Sequence, residues 1–418
     1  MTASSIQQMD VTKHARDTSA LEAGFSPDHG QARPAHAAAA TRTTLRLLIA
    51  AHFVYAGRVG GAEHMLYNLL RGLSRECSDV TVLCASERNM DPAAVEQLRR
   101  HPSLRIRESG GGGPRFLAEQ RACLDPSVAG DAILFPNYFV PPITPRRLGR
   151  IVTVLHDMQY RHFPANFSAK KRAWLRAAQN LAVLKADRVV VISNFVRDDA
   201  LRVFGKRVER KLSVIPNPID WSRFAGHDGD RTPVDRPYVL SVAAQYPHKN
   251  LEVLVRAFAR VAERNRDPLL VLCGQDYGGL RGVAGARTGL RPLIESLGIQ
   301  DRVRLTGYVD DATLGHYYRH ATAFAFPSVF EGFGMPAVEA LGMGLPTLTT
   351  RETALPETTM GVAQYLDDPF SVAEWASRLE VMLRSPEQFR PTDEQVVRLQ
   401  ERYRVDRIAR AYAQVCAH

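Results

Sequence analysis

Short, uniformly apolar runs alternate along the chain with stretches whose apolar residues recur at helical spacing. The first run, LRLLIAA at Leu45 to Ala51, leads through a glycine-containing turn into AEHMLYNLLRGL, which predicts a strand, a loop and a helix. DVTVLC at Asp79 to Cys84, DAILF at Asp131 to Phe135, IVTVLH at Ile151 to His156 and RVVVIS at Arg188 to Ser193 repeat the strand signal, with helical stretches between several of them. Strands this evenly apolar belong in a parallel sheet covered by helices on both faces. The alternation breaks at PNPIDWSRFAGHDGDRTPVDRP, Pro216 to Pro237, whose Pro, Asp, Gly and Arg mark an interdomain connection. It resumes with YVLSVA at Tyr238 to Ala243, PLLVLC at Pro268 to Cys273, RVRLT at Arg302 to Thr306, TAFAF at Thr322 to Phe326 and PTLTT at Pro346 to Thr350.

The expected organisation is α/β, with two Rossmann-like doubly wound domains facing a central cleft. Residues 1–44 lack periodic apolar positions and read as a disordered N-terminal tail. The first domain is placed at 45–220, the linker at 221–236 and the second domain at 237–395. A C-terminal helix over 396–418 is in a position to cross back onto the first domain. Open α/β sheets bind ligands outside the carboxyl ends of their strands, so the cleft is the expected site. Architecture alone leaves dehydrogenases, epimerases, binding proteins and transferases open.

Composition narrows the setting. A chain of 418 residues with 45% apolar content can bury two ordinary cores. Cys77, Cys84, Cys123, Cys273 and Cys416 are scattered and form no C-x-x-C pair, which indicates neither a disulfide framework nor a zinc site and fits a reducing compartment. No apolar run approaches the roughly 18 residues of a membrane span. The start, MTASSIQQMD, has no secretory pattern, so a cytoplasmic protein is expected. The net charge is +10, and between Ala132 and Ala186 nine bases face the single acid Asp157. No zinc-finger spacing or RNP-like motif accompanies this basic face, so no nucleic-acid partner is expected. The stretch Arg146 to Lys185 contains KKRAWLRAAQNLAVLK, which reads either as a solvated basic helix face or as a peripheral contact with anionic membrane.

The most informative stretch is FAFPSVFEGFGMPAVEALGMGLPTLTT, Phe324 to Thr350. A strand leads into a loop with Glu331, Gly332 and Gly334, and Pro336 stands where a helix begins. Glycines let the backbone approach a bound group, and free N–H groups at a helix start suit a diphosphate. A helix terminus supplies at most about 2 kcal/mol, so a cation must assist. Glu331 and Glu339 suit sugar and ribose hydroxyls, because an ionised carboxylate accepts two hydroxyl donors. On spacing alone, a tight strand-to-helix turn with two solvated glutamates is an equal reading.

The pattern E-G-F-G-x-P-x-x-E, Glu331 to Glu339, resembles the E-x7-E donor signature of the retaining glycosyltransferases of family 4, which have the GT-B fold. The resemblance continues through the loop Gly60, Gly61, Ala62, Glu63, LHD at Leu155 to Asp157, PNPID at Pro216 to Asp220, HKN at His248 to Asn250, LTGYV at Leu305 to Val309 and ALPE at Ala354 to Glu357. It implies an acceptor-binding first domain and a second domain that binds a nucleoside-diphosphate sugar. Glu331 would contact the donor sugar and stabilise positive charge at the anomeric carbon, and His156 would bond the same sugar. Glu339 would hold the ribose diol, while Gly332, Phe333 and Gly334 would offer backbone N–H groups. Tyr308 and Val309 would lie near the nucleobase. Gly60 and Gly61 would form a loop admitting diphosphate or acceptor.

Lys249 is the expected cation for the leaving diphosphate. Most family members place a Gly-Arg pair five to six residues before this lysine, whereas this chain has Ala243 and Ala244. His248 would substitute in part. The pattern Asp228, Gly229, Asp230 resembles the metal-holding D-x-D of the other large glycosyltransferase fold, but it lies in the polar linker and reads as a solvated loop. Metal-independent transfer is therefore expected, with no cofactor beyond the donor, and the resemblance implies retention. HKN and LHD resemble bacterial mannosyltransferases of O-antigen or capsule assembly, which implies GDP-mannose and a saccharide or lipid-linked saccharide acceptor. An epimerase of the same fold and a non-catalytic nucleotide-sugar-binding subunit are the alternatives.

Overall fold

The computed structural model describes residues 43–54, 60–110, 114–224, 234–275 and 289–418. The expected tail falls outside these residues, except that Thr43 and Thr44 already belong to the first strand. Much of the expected linker, with Asp228, Gly229 and Asp230, also lies outside them.

The first sheet comprises β1 (Thr43–Ala50), β2 (Cys77–Cys84), β3 (Leu104–Glu108), β4 (Ala132–Phe135), β5 (Arg150–Leu155), β6 (Arg188–Val191) and β7 (Leu212–Val214) in the order β3-β2-β1-β4-β5-β6-β7. The second comprises β8 (Tyr238–Val242), β9 (Leu269–Cys273), β10 (Val303–Gly307), β11 (Ala323–Phe326), β12 (Thr347–Thr350) and β13 (Gln364–Leu366) in the order β10-β9-β8-β11-β12-β13. Every pairing is parallel, so both sheets are doubly wound with helical crossovers, as the apolar runs predict. Three strands escape the sequence reading: β3, β7 and β13. Each lies at the edge of its sheet and is mostly partly buried or exposed along its length, so no continuous apolar run marks it.

Strand order reverses between β1 and β4 in the first sheet and between β8 and β11 in the second. A crevice forms at such a reversal because the neighbouring crossovers leave in opposite directions. In the second sheet the flanking loops are 243–250 and 327–334, which carry Lys249 and Glu331.

The C-terminal region is two helices rather than one. Asp393–Arg402 packs on Met335–Gly342, and Val405–Ala417 packs on Gly61–Glu76 and the first sheet. The break sits at Tyr403, a buried residue whose hydroxyl donates to Thr358 O at 2.7 Å, and at Arg404, which bridges in parallel to Ile219. The last helix presents Ile408, Ala409, Tyr412, Ala413 and Cys416 to the first core. Among the described residues no helix is long and apolar enough to cross a membrane.

Tyr412 is fully buried and its hydroxyl has no hydrogen-bond partner among the described residues. An unpaired buried hydroxyl opposes folding, so Tyr412→Phe should leave stability unchanged or raise it by up to about 1 kcal/mol, whereas Tyr412→Ala should cost about 3–5 kcal/mol. Urea unfolding followed by circular dichroism checks both; a Phe variant destabilised as much as the Ala variant would contradict this packing.

Candidate active site in the cleft between two sheets

The loop after β11 is positioned from both sheets. Gly334 caps the helix Met335–Gly342 with φ 80°, and a Cβ there would meet Leu355 Cδ2 at 2.5 Å, so only glycine turns the chain at this point. The cap contributes no side-chain bond, which leaves the helix start to backbone N–H groups. At Gly332 a Cβ would lie 2.0 Å from His156 O, at the end of β5. Ser193 Oγ fastens the same peptide by donating to Gly332 O at 2.8 Å. Phe330 inserts among His162, Phe163 and Phe195 of the first domain at ring separations of 4.9–5.8 Å. Glu357 then reaches back to the helix Asn194–Phe204: its carboxylate accepts from Asn194 N at 2.9 Å, Asn194 Nδ2 at 2.8 Å and Phe195 N at 3.3 Å. A carboxylate at a helix N-terminus satisfies orphan donors and complements the helix dipole.

Glu331 and Lys249, assigned separate tasks from sequence, are in contact: Lys249 Nζ lies 2.5 Å from Glu331 Oε1. Both side chains are largely buried, at 18% and 11% exposure. The Glu331 amide donates to Thr353 Oγ1 at 2.9 Å. Thr353 has φ 55°, a left-handed conformation rarely adopted by a β-branched residue, so the surrounding structure must enforce it. Lys249 leaves the turn Pro247–Lys249, and Asn250 reverses the chain at φ 53° while its Nδ2 donates to Pro369 O at 2.8 Å. That left-handed position accounts for the asparagine of HKN.

His248 stacks on Tyr246, and its carbonyl accepts from Val329 N at 2.9 Å and Ser328 Oγ at 3.2 Å. Burial, reinforced by Lys249, pushes the His248 pKa well below the ordinary histidine value, so the ring is neutral near pH 7 and adds no second cation. His156 is also held below its ordinary pKa by burial, against the opposing effects of Pro136 O and Asp157. Its Nε2–H donates to Pro136 O at 2.8 Å, which leaves Nδ1 as the acceptor. Asp157 serves the local turn, accepting from Gln159 N at 3.0 Å.

The remaining site residues lie elsewhere. Glu339 is 3% exposed; Tyr318 Oη donates to its Oε2 at 3.0 Å, and Arg223 Nη2 lies 3.4 Å from Oε1. Burial raises the Glu339 pKa, while Arg223 and Tyr318 oppose that rise. Phe333 turns its ring away, edge-on to Tyr403 at 5.2 Å, so only its backbone is free for a ligand. Tyr308 is 51% exposed after β10, and Val309 packs partly against the core. Gly60 and Gly61 open the helix Gly61–Glu76, where Gly60 N donates to Glu63 Oε2 at 2.9 Å. Among the described residues no group of three His, Cys, Asp or Glu converges as metal ligands.

Sequence reasoning missed Arg223, Thr353 and Glu357 as site residues. Glu357 was visible within ALPE, and Arg223 stood in a stretch read as linker. Nothing local marks Thr353.

Residues 59–223 match the family described as Glycosyltransferase Family 4, and residues 226–416 match Glycosyl transferases group 1. The O-antigen chain mannosyltransferase B of Escherichia coli is 28% identical over 251 residues, covering 57% of this chain and 61% of that protein. A D-inositol 3-phosphate glycosyltransferase of Thermobifida fusca is 32% identical over 221 residues, covering 50% of each. The chain thus spans about three fifths or less of the length of these curated relatives. Among solved structures, sucrose-phosphate synthase from Thermosynechococcus elongatus aligns with TM-score 0.71 at 19% identity, covering 88% of this chain and 98% of that one. HepE from Anabaena in complex with UDP and glucose aligns with TM-score 0.66 at 18% identity and the same coverage. At these identities the likeness is one of fold.

Glu357→Gln keeps the shape but removes the charge that caps Asn194–Phe204. It should cost about 1–2 kcal/mol in urea unfolding, the range of a lost helix cap with its dipole interaction. A change below a few tenths of a kcal/mol would show that Glu357 does not hold the two domains together.

Proposed function

Since the chain belongs to the family 4 glycosyltransferases with the GT-B fold, we propose that it transfers a hexose from a nucleoside-diphosphate sugar, with retention, to a saccharide or lipid-linked saccharide acceptor. The observation that carries this reading is the placement of Lys249 and Glu331 on the two loops flanking the strand-order reversal of the second sheet, in contact with each other, with Gly332 next along the chain lying against the His156 carbonyl. Lys249 neutralises charge on the departing diphosphate, assisted by backbone N–H groups of the Gly332 to Gly334 turn. Glu331, steadied by Thr353, faces the sugar and stabilises positive charge at its anomeric carbon. Neutral His156 offers Nδ1 as an acceptor for a sugar hydroxyl. Glu339 reads the ribose diol, and Tyr308 with Val309 lines the base. Transfer proceeds on one face, with the leaving phosphate accepting the acceptor's proton and no metal ion required. GDP-mannose is the proposed donor, supported by the mannosyltransferases among the relatives.

The acceptor face has its own surface. Phe116, Leu117, Leu124, Ile143, Trp174 and Leu184 are each 44–76% exposed. Their segments touch: Gln120 Nε2 donates to Ile143 O at 2.7 Å, Lys185 Nζ bonds Pro142 O, and Trp174 stacks on Phe139. Lys170, Lys171 and Arg176 are exposed on the same helix as Trp174 and Leu184. Apolar side chains bordered by bases match an anionic bilayer, where a lipid-linked acceptor resides.

Two experiments test these readings. Donor turnover screened over UDP-, GDP- and ADP-sugars should show transfer to acceptor with one of them. Glu331→Gln should lower turnover at least about 100-fold, the scale of losing one electrostatic contact to the transition state, while leaving affinity for the free nucleoside diphosphate unchanged or tighter because Lys249 is released. Lys249→Met should weaken both. Normal turnover in Glu331→Gln, or donor consumption with sugar-nucleotide interconversion and no acceptor product, would refute the assignment. For the surface, flotation with vesicles containing phosphatidylglycerol should recover the protein, and neutral vesicles should not. Trp174→Ala with Leu184→Ser should abolish recovery; equal recovery on both vesicle types would contradict the membrane reading.

A further inference from the structure

Arg223 lies in the short turn Trp221–Phe224, where the chain has left the first sheet and not yet entered the second. The turn is clamped. Trp221 Nε1 donates to Gln400 O at 3.1 Å, the Phe224 ring meets Tyr318 edge-on at 5.4 Å, and Phe224 O accepts from Arg319. From this turn the arginine points inward, with its side chain 5% exposed and its guanidinium over the Phe224 ring at 4.5 Å.

The guanidinium touches both halves of the molecule. Nη1 donates to His64 Nδ1 at 3.3 Å, on the helix that opens at Gly61. Nη2 lies 3.4 Å from Glu339 Oε1 and 3.5 Å from Asp311 Oδ1. Nε is buried without a hydrogen-bond partner among the described residues. Burying a charged side chain with one donor unmet is costly, and a well-packed apolar residue would serve stability as well or better. What Arg223 adds is charge opposite a buried carboxylate. The separation from Glu339 Oε1 is that of an ion pair, longer than an ideal charge-assisted hydrogen bond, so lone pairs on that oxygen stay available. Tyr318 fixes the other oxygen. Burial pushes the His64 pKa down to about 4, so its ring is neutral and can accept from the guanidinium.

We propose that Arg223 is a positioning residue that holds the Glu339 carboxylate in place for the ribose diol, with His64 anchoring the guanidinium from the first domain. The inference rests on the proposed role of Glu339 as the ribose contact. It separates Arg223 from an ordinary strut, because loss of a positioning residue removes discrimination at the ribose while loss of a strut weakens all nucleotide binding alike.

The test is calorimetric binding of GDP against 2′-deoxy-GDP, and of UDP against 2′-deoxy-UDP, to the full chain. Wild type should prefer the ribonucleotide of its donor base by about tenfold or more, the value of a hydrogen bond to a charged group. Arg223→Met should lose most of that preference, weakening the ribonucleotide far more than its deoxy counterpart; Arg223→Lys should retain part of it, and His64→Phe should lie between. Glu339→Gln should abolish the preference, and adding Arg223→Met to it should change the ratio no further. A ratio intact in Arg223→Met overturns the inference alone, provided Glu339→Gln abolishes it. A wild type with no ribose preference overturns the reading of Glu339, and this inference with it. If thermal melting shows Arg223→Met unfolded, the ratio in Arg223→Lys decides: a value equal to wild type with Glu339→Gln lacking it counts against positioning, and a reduced value supports it.

Discussion

The cleft depends on one backbone contact between the domains: the peptide of Gly332 lies directly against the carbonyl of His156. A side chain at 332 would have to displace main-chain atoms, and main chain at the end of a central strand has nowhere to move. Ser193, Phe330 and Glu357 surround the contact with a hydrogen bond, an aromatic cluster and a capped helix. Together they set the distance between the end of β5 and the loop after β11, and hence the width of the cleft there.

Around that contact the acidic residues are buried and matched to cations. Glu331 faces Lys249, and Glu339 faces Arg223. Pairs of this kind contribute little net stability, because desolvation offsets most of the attraction, but breaking one leaves an uncompensated buried charge. Their arrangement fits a site that waits for a ligand with charges of its own. Under the proposed function, a diphosphate would compete with Glu331 for Lys249 and so free the carboxylate toward the sugar. Glu339 differs, since its arginine stands at ion-pair distance and its tyrosine holds only one oxygen.

Much of the architecture was legible because central parallel strands must be apolar on both faces, and β1, β2, β4, β5, β6, β8, β9, β11 and β12 are. β3, β7 and β13 were hidden because they are short or rich in polar residues at sheet edges, whereas β10, also at an edge, kept enough of an apolar pattern in RVRLT to be read. The turn from Glu331 to Gly334 was legible through its glycines and Pro336. Contacts between domains were not: Arg223 and Glu339 are 116 positions apart, Asn194 and Glu357 163, and no local pattern announces pairs brought together by folding. The strained Thr353 was invisible for the same reason, since a threonine at φ 55° reads like any loop threonine until its hydroxyl is seen on the Glu331 amide.

The most direct measurement is a crystal structure of the protein soaked with GDP. The account predicts phosphate at the Gly332 to Gly334 amides with Lys249 turned from Glu331 toward it, and the ribose hydroxyls on Glu339. Nucleotide bound elsewhere, with the Lys249 to Glu331 contact intact, would contradict it.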